Sequence, residues 1–278
     1  MTDWPVYRTI AVAREDDVVH LTFARPERRN ALTHEMMGEI ADVLRRVVAI
    51  EGVRALVLRG AGGFFCAGGD IGAMVDLPPP PPEGQPDPLV APYRAFGDTL
   101  LLLNSLPLPV IAIVEGPAAG GGFGMACASD IVIIHSSARF GIPEPRAGFI
   151  PSQVLPPIVR RIGEGAAREL VVTGRMIDAG EALALGVGRH LCADQAAIDA
   201  TLARVLDDIR RGEPDAVRTV KKLVLACAVE SDKAVLDRAA GDLIRLLRSP
   251  SGAAGMTAFL TKTPPPWSPL ARKAPVAE

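Results

Sequence analysis

RALVLRGAGGFFCAGGD (54–70) and PVIAIVEGPAAGGGFGMACASD (109–130) share one plan. Each opens on a continuous apolar run, the pattern of a strand buried on both faces. Each then breaks into glycines, and the second leads into a short helix of small residues. Leu58 and Ile113 stand 55 residues apart, which suggests a repeated β–β–α unit rather than a single nucleotide-binding crossover. A strand that runs through glycine into a helix leaves unpaired N–H groups at the helix start. The helix dipole adds positive potential there, so such an end suits an oxygen that becomes negative. Two such turns from neighbouring units can aim two N–H groups at one oxygen.

The flanking segments fit an α/β pattern. VVHLTFARP (18–26) alternates and is rich in β-branched and aromatic residues, so it reads as a strand. In ALTHEMMGEIADVLRRVVAI, Met36, Met37, Ile40, Val43, Leu44, Val47 and Val48 recur at helical spacing, with Thr33 as N-cap. YRAFGDTLLLLNSL reads as a helix, IVIIHSSARFG as further strand, and 157–175 as helix. IDAGEALALG (177–186) reads as a helix ended by Gly186. From 195 onward helices dominate. The expected division is an α/β core over 1–195 and a helical region over 196–278. LPPPPPEGQPDPLVAP (77–92) stands apart. The run Pro78–Pro82 excludes helix and interior strand and predicts an exposed, polyproline-II-like loop. A docking motif for a polyproline-binding partner and a pocket border are the other readings of it.

Composition narrows the function. The net charge of −2 supplies no field toward nucleic acid or an anionic membrane. Cys66, Cys127, Cys192 and Cys227 form no CxxC pair and no zinc spacing with histidine, so free thiols and no bound metal are expected. No apolar leader opens the chain and no run is long enough to span a bilayer, which predicts a cytoplasmic protein. GPAAGGGFGMA contains no G-x-G-x-x-G, neither turn is a P-loop, and no G-x-S-x-G elbow occurs. His20, His34, His135 and His190 are isolated and read as structural.

Five motifs in chain order resemble those of the enoyl-CoA hydratase/isomerase (crotonase) superfamily. ARPERRNAL (24–32) is similar to its coenzyme A loop. FFCAGGDI (64–71) and EGPAAGGGFGMACASD (115–130) are similar to its two oxyanion turns. ARFGIPEPRAGFIP (138–151) is similar to the loop with a catalytic carboxylate, and GMTAFLTK (255–262) to the C-terminal segment. The resemblance implies a spiral of ββα units with a C-terminal helical trimerisation region. It places Gly69 and Gly121 at the oxyanion amides and Glu144 as general acid/base. It places coenzyme A against the backbone near Arg29, Asn30, Ala67, Asp70 and Ile71, and gives Lys262 to the nucleotide. No separate cofactor is implied, because coenzyme A is part of the substrate. The implied partners are an acyl-CoA and further copies of the chain, as a homotrimer or dimer of trimers.

Two-carboxylate hydratases of this family carry a first Glu three residues after the oxyanion glycine. Here that position is Gly124. A lone Glu144 suffices for a 1,3-proton shift, as in the family's Δ3,Δ2-enoyl-CoA isomerases. Hydration needs a polar neighbour such as Ser152 or Gln153 to help hold the water. GFIPSQVLPPIVRRIG resembles a bacterial branch that hydrates branched glutaconyl-CoA thioesters, which tips the expectation to a hydratase of branched or medium-chain enoyl-CoA. Thioester decarboxylation or hydrolysis, a non-catalytic acyl-CoA binder, and a polyproline-displaying scaffold are the remaining alternatives.

Overall fold

The computed structural model describes residues 4–74 and 77–269. The chain opens with β1 (Ile10–Glu15) and β2 (Val18–Phe23), an antiparallel hairpin with Ile10 opposite Phe23 and Glu15 opposite Val18. Asp16 makes the tight turn with φ of 52°, a conformation Asp tolerates better than most residues. Helix α1 (His34–Val47) follows, and the Thr33 side chain accepts from Met36 N–H at its start, as its sequence position predicts. The buried face of α1 includes Met36, Ile40, Val43, Leu44 and Val47, the residues that carry its period.

Next come β3 (Ala55–Gly60), α2 (Val90–Ser105), β4 (Val110–Val114), β5 (Pro117–Ala119), α3 (Gly121–Ala128) and β6 (Ile131–His135). Strands β2, β3, β4 and β6 pair in parallel, because a helix returns the chain between each pair. All five residues of β4 are buried, and so is every residue of β3 except Arg59, which explains their unbroken apolar reading. Strand β9 (His190–Cys192) adds to β6, so the main sheet runs β1-β2-β3-β4-β6-β9. A second sheet is built from β5, β7 (Arg139–Gly141) and β8 (Met176–Asp178). Strand β5 is parallel to β7, and β7 is antiparallel to β8. Between β7 and β8 lies α4 (Leu155–Thr173), and α5 (Ala179–Ala184) follows β8. Edge-on aromatic pairs fill the core, with Phe23 and Phe65 at 5.3 Å between centroids.

Three local readings need correction. Strand β1 was not anticipated. The segment 131–141 is two strands in two different sheets, β6 and β7. Residues 177–186 begin as strand: Met176–Asp178 pairs with β7, and only then does Asp178 cap α5 through Glu181 N–H.

The chain divides into two compact units. The first runs to residue 201, apart from 107–109. The second comprises 107–109 and the residues from 202 on, and contains α7 (Pro214–Ala226), α8 (Asp232–Leu247) and α9 (Pro250–Thr261). Helix α6 (Gln195–Arg211) carries the chain from one to the other. Within the second unit Glu213, Ser231 and Ser249 cap successive helices, and Lys221 Nζ donates to Leu108 O at 2.9 Å.

Candidate active site

The two glycine turns lie side by side in the first unit. Cys66 and Ala118 form a parallel bridge, with Cys66 N–H donating to Pro117 O (3.1 Å) and Ala119 N–H to Cys66 O (2.9 Å). Three residues beyond the bridge stand Gly69 on one turn and Gly121 on the other. Each N–H is left over for a different reason. Leu32 pairs with Gly69 through Gly68 O (2.8 Å) and Asp70 N–H (3.0 Å), which leaves Gly69's own N–H outside that ladder. Gly121 is the first residue of α3, where an N–H has no intrahelical acceptor. Among the described residues neither N–H has a hydrogen-bond partner. Both glycines line one cavity of about 250 Å³.

Glu144 lines the same cavity. It opens a short 3-10 turn, Glu144–Ala147, after β7. Its carboxylate rests against Gly120, where a Cβ would overlap Oε1. Gly120 has φ 47° and ψ −111°, a conformation that L side chains rarely adopt, so this position requires glycine twice over. Glu144 Oε2 is buried without a hydrogen-bond partner among the described residues. Burial pushes the Glu144 pKa above the ordinary carboxylate value of 4.5, opposed by a hydrogen bond from its own backbone. A desolvated carboxylate with one oxygen unpaired can exchange a proton with a group bound in the same cavity.

Position 124 is closed to side chains. A Cβ there would meet Val154 Cβ and Cγ1, both at 2.8 Å. Val154 is buried and is itself part of the cavity wall. The missing first Glu is therefore replaced by packed aliphatic surface, and Glu144 is the sole glutamate among the cavity-lining residues.

Of the residues singled out from sequence, Ala67, Gly69, Asp70, Ile71, Gly121 and Glu144 line the cavity, with Ser152 and Gln153. Arg29 and Asn30 stand just behind it. Both have positive φ, Arg29 O accepts from Ala67 N–H at 3.0 Å, and Arg29 lies over the Phe64 ring at 5.9 Å. The Asn30 side chain is fully buried and fully used: Oδ1 accepts from Arg25 N–H, and Nδ2 donates to Ala61 O and Phe64 O. It ties the loop to the first glycine turn, so what remains there for a ligand is backbone. Lys262 ends α9 in the second unit, exposed and left-handed at φ 56°.

Several wall residues escaped the sequence reading. His34 and Tyr93 meet edge to face at 5.5 Å, and Phe96 reaches Gly121 so closely that a Cβ there would lie 3.0 Å from it. The i, i+3 spacing of Tyr93 and Phe96 was the available signal for one aromatic face of α2. Arg25, also missed, donates to Ala31 O (2.5 Å) and to Asp70 Oδ2 (3.1 Å) and is only 18% exposed. Cys66 is fully buried, and desolvation pushes its thiol up to about 12, so it is inert.

Residues 13–269 match the sequence profile described as enoyl-CoA hydratase/isomerase. The chain belongs to the enoyl-CoA hydratase/isomerase family. Enoyl-CoA hydratase EchA19 of Mycobacterium tuberculosis is 34% identical over 259 residues, covering 91% of this chain and 94% of that one. Among solved structures, Pseudomonas aeruginosa AtuE superposes with a TM-score of 0.88 at 39% identity, over 94% of this chain and all of the other. An enoyl-CoA hydratase/isomerase from Marinobacter aquaeolei gives 0.87 at 38%, over 93% and 98%. The protein is thus an enzyme of the hydratase/isomerase family with the crotonase fold. Among the described residues no helix is long and apolar enough to cross a membrane.

Proposed function

We propose that the enzyme hydrates a branched or medium-chain enoyl-CoA through an enolate held by the amides of Gly69 and Gly121, with Glu144 moving the proton. The observation that carries this is the desolvated, half-unpaired Glu144 carboxylate beside two free amides in one apolar cavity. As water adds to the β-carbon, Glu144 takes its proton. The electron pair of the double bond moves onto the thioester carbonyl oxygen, where the two N–H groups stabilise it. Glu144 then returns the proton to the α-carbon. Ser152 and Gln153 line the same cavity, and to them this reading gives the help in holding the water. Coenzyme A lies along Arg29, Asn30, Ala67, Asp70 and Ile71. Removal of one such amide donor costs roughly 3–4 kcal/mol of barrier.

A second reading, a single-carboxylate Δ3,Δ2-enoyl-CoA isomerase, is favoured by Val154 closing position 124. Incubation with 2-enoyl-CoA and 3-enoyl-CoA separates the two: a hydratase releases the 3-hydroxy thioester, an isomerase only moves the double bond. In either case Glu144→Gln is expected to lower kcat by about 10²- to 10⁴-fold while acyl-CoA still binds. In the wild type the rate rises with pH through a pKa displaced above 4.5, because the working form is the carboxylate and burial disfavours it. Near-normal turnover in Glu144→Gln removes the assigned role. Self-assembly into trimers is part of the same proposal. It is supported by the exposed apolar side chains Leu236, Leu243, Phe259 and Leu260 on α8 and α9.

A further inference from the structure

Helix α3 carries the Gly121 amide at one end, and a side chain with no part in the proton transfer holds the other. All eight residues of α3 are buried, and Gly120 at its start supplies no side-chain cap. At its finish the last carbonyls have no partner within the helix. Arg161 of α4 meets them. Its Nε and Nη2 donate to Cys127 O at 3.3 and 3.1 Å, Nη2 also donates to Ser129 O, and Nη1 reaches Asp130 O at 3.5 Å. Among the described residues these main-chain carbonyls are its only hydrogen-bond partners. Burial pushes the Cys127 thiol up to about 12, and the nearby Arg161 charge opposes that rise.

Val154, Ile158 and Arg161 fall on one stripe of α4, four and then three residues apart. Val154 stands over Gly124, one turn in from Gly121, where a Cβ would meet Val154 Cβ and Cγ1 at 2.8 Å. Arg161 stands at the far end. Two residues later Gly163 leaves the helical conformation, with φ 79° and ψ 159°. The stretch 154–161 therefore grips α3 near both ends before α4 breaks. Asp130, bonded to Val110 through its N–H and its carboxylate, ties down the chain after α3, whereas Arg161 ties the last turn itself. A hydrogen-bonded helix moves as a rod, so a tilt at the last turn is carried to Gly121. A guanidinium there also offsets the negative end of the helix dipole, which leaves the positive end to act on the cavity.

We propose that Arg161 is a positioning residue for the oxyanion hole: by binding the closing carbonyls of α3 it sets where the Gly121 N–H points, roughly 12 Å away along the helix. This rests on the reading of Gly121 as an oxyanion donor and identifies the side chain that aims it.

The thioester carbonyl reports that aim. Hexanoyl-CoA has no double bond to hydrate or move, and an isotopic label on its carbonyl carbon isolates the C=O stretch in the infrared. On binding to the wild type the band moves below its frequency in water, because two fixed N–H groups polarise the bond. In Arg161→Met the displacement is smaller. The kcat on the enoyl-CoA that the enzyme turns over is about tenfold lower, while KM and hexanoyl-CoA affinity stay within about twofold. Arg161→Lys, with the charge but not the planar fork, falls between the two, and it decides the matter where Arg161→Met does not fold. A wild-type band position in the folded variants, or a loss that falls on KM rather than kcat, overturns the proposal while the oxyanion reading stands. Hexanoyl-CoA that binds the wild type with no displacement overturns the oxyanion reading and the proposal with it.

Discussion

Each glycine turn presents one unpaired N–H beside the same cavity, and the two turns are mounted differently. The turn at 118–122 is set in the core: α3 follows it directly, and all eight residues of that helix are buried. The turn at 66–70 leads instead into a short 3-10 turn at Ile71–Met74, whose first residue is 54% exposed. Beyond the Cys66–Ala118 bridge to the other turn, what holds it is a set of polar ties from the loop before α1. Arg25 reaches Asp70, Asn30 reaches Ala61 and Phe64, and Leu32 bridges Gly69. One amide is thus fixed by packing and the other by hydrogen bonds to the same loop that the resemblance gives to coenzyme A. An amide fixed by packing should be all-or-none under mutation. One fixed by hydrogen bonds should yield by degrees and show its loss first in substrate binding.

Gly120→Ala tests the packed side and should have the largest effect. The added methyl lands on the Glu144 carboxylate, and the backbone there has positive φ. The expected loss in kcat is 10²-fold or more, with impaired folding visible in a thermal melt. Gly68→Ala is its counterpart on the other turn. Gly68 also has positive φ (94°), but the tightest contact of a Cβ would be Ala119 O, at 3.1 Å. About 1–2 kcal/mol of destabilisation is expected, from the strained backbone, with measurable activity retained. If both variants are equally dead, the two mounts do not differ as described.

Arg25→Ala tests the hydrogen-bonded side. The ion pair with Asp70 is mostly shielded, at 18% exposure on each side, and the guanidinium also holds Ala31 O. Its removal leaves Asp70 and a carbonyl unpaired, for about 2–3 kcal/mol of stability by chemical denaturation. Because the loop at 29–32 loosens together with the first turn, KM for an enoyl-CoA should rise by about tenfold or more while kcat falls less. A fall in kcat with unchanged KM would place Arg25 with the chemistry rather than with the mount.

How much of this was legible in the sequence follows the same division. Local signals carried the strands β2, β3 and β4, the Thr33 cap of α1 and the position of both turns, because apolar runs and glycine report directly on burial and backbone. The strand β1 was hidden, since an edge strand buries little: only Ile10 of its six residues is buried. The strand β8 was absorbed into a helix because Asp178 and Glu181 look like a helix start, which they are, one residue after the pairing ends. The site's decisive contacts join residues far apart in the chain: Glu144 on Gly120, Val154 over Gly124, Asn30 to Phe64. No periodicity reports such contacts. Motif resemblance pointed to Glu144, but the packing that raises its pKa appears only in three dimensions.

The smallest effect concerns the one place where the packed mount departs from a two-carboxylate design. Gly124→Glu alone should not add a second catalytic group. The new side chain would drive into Val154, and such overpacking costs about 1–3 kcal/mol. With Val154→Ala added, the space opens and much of that stability should return, since the two positions touch and their effects are coupled. If hydration is limited by how well one carboxylate and neutral neighbours hold the water, the double variant should hydrate 2-enoyl-CoA a few-fold faster than Val154→Ala alone. A double variant that regains stability but no rate would mean that Val154 shapes the acyl pocket only, and that Glu144 without a second glutamate already does all the proton transfer the reaction needs.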